Sequence, residues 1–147
     1  MPRWTRGERI VPAAGTLLVV DLLLLPWHRY SLDMEQFGLQ VPGFRLDRTG
    51  VQDPYGLFGK VAMVIALYMV LHTVAAKLTA AVQSPGPMHV IAGAIVLGLV
   101  VGKLVANRDF LAIGAWAGTA LAAGLAYGSF ALGQDTPTGS GQAVNTA

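Results

Sequence analysis

Four long apolar stretches dominate this chain of 147 residues, and they leave few folds open to it. They run Ile10–Trp27, Leu57–Val82, Met88–Ala106 and Phe110–Leu132. Each approaches the roughly 20 apolar residues needed to cross a hydrocarbon layer of about 30 Å. None confines its apolar residues to a single stripe, as a helix on the surface of a soluble domain would. The expected fold is an all-α membrane protein. It is a four-transmembrane-helix bundle with one long loop, residues 28–56, between helices 1 and 2.

Composition agrees with this. Charged residues make up 12% of the chain, against about 25% in an ordinary soluble domain. What remains outside the spans is too short for a soluble catalytic domain, so no enzymatic activity is expected. The net charge of +2 is not gathered into a basic patch. Lys and Arg stand singly at span ends, where they anchor helices, and nucleic acid is not an expected partner. The absence of cysteine excludes disulfides, thiolate metal sites, a cysteine nucleophile and lipoprotein attachment. The segment before Ile10, with Arg3, Arg6 and Arg9, resembles the start of a signal peptide. Asp21 interrupts the apolar run that follows, and Pro26-Trp27 stands where a small-residue cleavage site would be. The run reads as a retained first span.

Helix 1 is expected to begin after Arg9 and to stop at Pro26, whose ring cannot continue the ladder. Trp27 and Tyr30 suit the headgroup zone. In the loop, Phe37, Leu39 and Val41 alternate with polar or small residues, and Phe44 and Leu46 alternate with Arg45 and Asp47. Pro42-Gly43 lies between, so the spacing predicts a strand–turn–strand. Its acids, Asp33, Glu35, Asp47 and Asp53, alternate with arginines and read as a self-paired surface. Ser84-Pro85-Gly86-Pro87 reverses the chain after helix 2. Only Asn107-Arg108-Asp109 joins helices 3 and 4, which must be antiparallel neighbours. Residues 133–147 are small and polar and are expected to be disordered. The arginines beside helix 1 favour a cytoplasmic N-terminus, and with four spans a cytoplasmic C-terminus too.

Several residues could carry chemistry. Asp21 lies inside helix 1, and an unpaired acid near a span centre costs about 2.5–3.5 kcal/mol. Helices 1 and 3 run the same way, and Lys103 is near the same end, so an Asp21–Lys103 charge pair is expected. Tyr68, His72 and Thr79 form a polar stripe on helix 2, with Lys60 and Lys77 snorkelling from its ends. The three histidines, His28, His72 and His89, fall at different depths, so haem is not expected; without carboxylates nearby zinc is not expected either, and no cofactor is assigned. Small residues recur every fourth position: Ala94, Gly98, Gly102 and Ala106 in helix 3, and Gly114, Gly118, Ala122 and Ala126 in helix 4. Such ridges mark helix contacts in lipid. They serve either to pack the two helices on each other or to bind a second subunit.

The run Asp21-Leu-Leu-Leu-Leu-Pro-Trp27, followed by Arg48-Thr-Gly-Val-Gln-Asp-Pro-Tyr-Gly-Leu-Phe-Gly59, resembles small uncharacterised four-span membrane proteins of actinobacteria. The resemblance extends over residues 10–130 and implies a multi-pass protein of the bacterial plasma membrane. The chain is also similar in plan to the small multidrug resistance exporters, with Asp21 in the place of their helix-1 acid. That family uses a glutamate and short loops. The expected role is that of a scaffold or accessory subunit. Its partners are the lipid bilayer and other membrane subunits or a second copy, with loop 28–56 as the recognition surface. The alternative is a small proton-coupled transporter using Asp21. A redox subunit using His72 comes third.

Overall fold

A computed structural model describes residues 4–32, 44–52, 55–79, 86–108 and 111–135. Among these residues the chain forms four helices: α1 (Arg6–Leu24), α2 (Gly56–Leu78), α3 (Pro87–Ala106) and α4 (Ile113–Asp135). Two strands, β1 (Pro26–Leu32) and β2 (Phe44–Thr49), lie between α1 and α2.

Helix α1 begins earlier than its apolar run, because Thr5 and Glu8 form a capping box. The Thr5 hydroxyl accepts from the Glu8 amide at 3.4 Å, and the Thr5 amide donates to Glu8 Oε2 at 2.7 Å. The helix therefore includes Arg6 and Arg9 in its first turns. At its other end the Leu25 amide closes onto the Asp21 carbonyl at 3.0 Å. Pro26 then has no amide to offer the ladder, and the chain turns extended. Helix α2 stops at Leu78, short of Val82, and α3 starts with proline in its first turn. Helix α4 runs three residues past Leu132, so Gly133–Asp135 are helical rather than part of a tail. The tail beyond them lies outside the described residues.

Phe44–Thr49 forms a strand that pairs antiparallel with Pro26–Leu32, with Tyr30 opposite Leu46 and Leu32 opposite Phe44. The other expected arm, Phe37–Val41, and the Pro42-Gly43 turn lie outside the described residues. The register slips between Pro26 and His28, and the slip lies beside Trp27. The far edge of β1 is also used. His28 forms a bridge with Leu111, and the Ala112 amide donates to the Trp27 carbonyl at 2.9 Å. The hairpin is thus tied to the connection between α3 and α4.

Helix α1 packs on α2 and α4, and α3 packs on the same two, so α1 and α3 stand across a diagonal. The core consists of Val11, Leu18 and Leu22 with Ala62, Ala66, Met69, Val96, Val100, Ala122 and Leu125. The outside is just as apolar: Leu17, Leu24, Leu57, Leu71, Ile91, Ile113 and Trp116 are all more than half exposed. A water-soluble monomer does not cover itself this way. Helices α2, α3 and α4 are long and apolar enough to cross a membrane. A membrane location follows from those three helices, each about 30–35 Å long at 1.5 Å per residue.

Candidate functional site

The apolar frame encloses two groups of polar side chains, one at each end. The first surrounds Trp27. Its indole is completely buried within the chain. Three glycines make the space. A Cβ at Gly118 would overlap the indole and come within 2.5 Å of Asp21 Oδ2. A Cβ at Gly114 would lie 3.0 Å from the indole, and one at Gly50 2.9 Å from its Nε1.

Asp21 and Lys103 both reach this indole, but they do not bridge to each other. Trp27 Nε1 donates to Asp21 Oδ2 at 3.0 Å, and the carboxylate is 1% exposed. Lys103, fully buried, holds its Nζ 5.9 Å from the Trp27 ring centre and donates to the Gln52 carbonyl at 3.2 Å. The expected charge pair is therefore corrected. The strand after α1 carries Trp27 in beside the acid and gives Asp21 a neutral donor. The ammonium gains the negative face of the ring instead. Asp21 Oδ1 is left without a hydrogen-bond partner. Such an atom is where a proton or a small donor would bind.

His28 completes this end. It is buried, stacks with Tyr30 at 6.4 Å between centroids, and neither ring nitrogen has a hydrogen-bond partner. Burial, and then the positive charge of Lys103, hold its pKa below the ordinary 6.5, so the ring is neutral at pH 7. Asn107 Nδ2 donates to the Tyr30 hydroxyl at 3.3 Å, which fixes the hairpin to the end of α3.

The second group lies at the opposite end. His72 and His89 meet ring to ring, with centroids 4.9 Å apart, and Tyr68 stands 5.6 Å from His72 and 6.4 Å from His89. This corrects the depth argument that kept the histidines apart. Helix α2 ends at Leu78 and not Val82, so His72 is only about 9 Å from its end at 1.5 Å per residue. His89 is the third residue of α3, and the two helices are antiparallel neighbours. Thr79 does not join the stripe: it caps α2, its hydroxyl donating to the Ala75 carbonyl at 2.9 Å. No cluster of three or more His, Cys, Asp or Glu side chains occurs among the described residues.

Two ion pairs add to this picture. Lys77 bonds Glu8 at 2.8 Å with both side chains mostly buried, and its ammonium lies 5.8 Å from the Trp4 ring centre. Lys77 thus ties α2 to the start of α1 rather than simply snorkelling. Arg29 and Asp47, directly opposite in the hairpin, pair at 3.1 Å on the surface. Of the other loop acids, Asp33, Glu35 and Asp53 lie outside the described residues.

The small-residue ridges do not meet. Gly114 and Gly118 face α1 and Trp27, and a Cβ at Gly98 or Gly102 would meet nothing within 4 Å. The α3–α4 contact uses other small residues: Gly93 lies against Ser129 and Ala126, and Gly133 against Val90. The signal for a buried tryptophan was present in the sequence, as two glycines one turn apart in α4 beside a tryptophan just past α1.

The comparisons give no family. No family model matches the chain, and no curated protein or solved structure matches it either.

Proposed function

We propose that this chain is a four-span integral membrane protein of the bacterial plasma membrane that serves as a scaffold or accessory subunit. In this reading α1 crosses with the other three. Its length of 19 residues and its exposed Leu17, Val20, Leu23 and Leu24 support that. Both termini then lie on one face, taken as the cytoplasmic one because Arg6 and Arg9 open α1. The hairpin and the rest of loop 28–56 form the polar recognition surface on the other face.

One observation carries the accessory role: among the described residues, the ridge Ala94, Gly98, Gly102 and Ala106 has no neighbour within 4 Å of a Cβ placed at its glycines. Small residues let helix backbones approach closely, which is how helices associate where lipid offers no hydrophobic gain. A ridge left unused inside the bundle is suited to a helix from outside it. The test is purification in mild detergent. Wild type should bring down a membrane partner. The Gly98→Leu/Gly102→Leu double variant should lose it while keeping its own fold. Equal recovery of partner by both refutes this role. Topology is open to the same preparation, since a chain without cysteine accepts single-cysteine labelling from either side.

A second reading is proton-coupled transport at Asp21. The unpartnered Oδ1 of a 1% exposed carboxylate favours it, because intramembrane acids often mark ion paths. Proton release from purified protein on addition of substrate, absent in Asp21→Asn, would replace the accessory reading with this one.

A further inference from the structure

The histidine pair at the α2–α3 end has no place in the function argued above, and its chemistry is specific. Both rings lie towards the end of the bundle where α2 ends and α3 begins. His89 is 3% exposed and His72 is half-buried. Neutral imidazoles each carry one N–H and one lone pair. Among the buried nitrogens of the two rings, His72 Nδ1 and His89 Nε2 have no hydrogen-bond partner. The His89 ring N–H donates to the Met69 backbone carbonyl. A carbonyl holding the N–H on one side fixes the lone pair on the other, which is the usual support of a histidine ligand.

The separation of the rings then selects among occupants. With metal–nitrogen bonds of about 2.0–2.1 Å, and each ring centre about 1.1 Å behind its nitrogen, tetrahedral neighbours have centroids about 5 Å apart. The same lengths put two ligands in line, as on a haem iron, at about 6 Å. The observed 4.9 Å matches the tetrahedral spacing. We propose that His72 and His89 form a binding site for a divalent transition cation of the zinc type, which keeps two coordination positions for water or an incoming ligand. Two histidine ligands are fewer than a closed structural zinc site uses. Binding should therefore be reversible and its open positions exchangeable. Tyr68 stands beside the pair, 5.6 Å from His72 and 6.4 Å from His89.

The test uses the full chain in detergent, with Co²⁺ and Zn²⁺ as probes. Wild type should bind one Co²⁺ per chain with the visible bands of tetrahedral cobalt, and Zn²⁺ should abolish them. His72→Gln and His89→Gln should each weaken binding at least tenfold, and His28→Gln should leave it unchanged. No tetrahedral spectrum in wild type overturns the proposal, and so does one that persists in His72→Gln. The same question can be put to the unmutated protein, which has only three histidines. Zn²⁺ should shift the ring nitrogen resonances of His72 and His89 and spare His28. Shifts confined to His28, or none, would sink it without any variant having to fold.

Discussion

Replacing Trp27 with phenylalanine isolates the indole N–H from the bulk of the ring. The substitution keeps most of the fully buried aromatic volume and removes the donor that lies 3.0 Å from Asp21 Oδ2. Asp21 has no other hydrogen-bond partner for its side chain, since Oδ1 is already unsatisfied. Leaving a buried acceptor unpaired costs about 1–3 kcal/mol, and more when it is charged. Trp27→Ala adds the cavity, for a further cost of about 3–5 kcal/mol. The two together approach the whole stability of a small domain, about 5–15 kcal/mol. Trp27→Phe is therefore the readable variant, and Trp27→Ala should barely fold. The assay is reversible unfolding in mixed micelles on a double-mutant cycle with Asp21→Leu. If the indole and the carboxylate interact as described, the cycle should give a coupling of about 1–3 kcal/mol. A Trp27→Phe protein within about 0.5 kcal/mol of wild type, with no coupling to Asp21, would refute the reasoning.

Three further outcomes follow from the same packing. The glycine ridges should respond oppositely: Gly118→Leu, which drives a side chain into Trp27 and Asp21, should abolish folding, while Gly102→Leu should leave the melting temperature unchanged. Glu8→Gln removes the carboxylate charge that Lys77 meets at 2.8 Å in a mostly buried pair. It should cost about 1–3 kcal/mol, less than a fully buried pair would, read from the same unfolding curve. His28 is held below its ordinary pKa of 6.5 in the folded chain, so the unfolded chain takes up its proton first as pH falls. Stability from this group should be complete above about pH 6.5 and decline below it. His28→Gln should flatten that part of a pH–stability curve, and an identical curve in the variant would contradict the assignment.

Much of the frame was legible without coordinates. Helices α2, α3 and α4 could be found from length and apolarity because the bilayer thickness dictates both. Pro26 ended α1 for a reason local to its own ring. A short connection after Ala106 forced α3 and α4 together by chain length, although α4 begins at Ile113 and not at the expected Phe110. Boundaries failed where a side chain acted on the backbone, as with Thr5 and Glu8 extending α1 by capping. They failed again at α2, whose early end at Leu78 is what brings His72 level with His89.

Orientation about each helix axis was not legible. A helix that is apolar all round carries no stripe to say which side faces inward. Sequence spacing therefore found both glycine ridges but could not tell the one under Trp27 from the one with nothing against it. It found Asp21 and Lys103 at one end but not the tryptophan each of them reaches. Sequence by itself determined a helical protein with a membrane-matched exterior, because that depends on composition and length. Only the tertiary structure decided which polar groups meet, because that depends on how each helix is turned and on a strand that carries Trp27 inward.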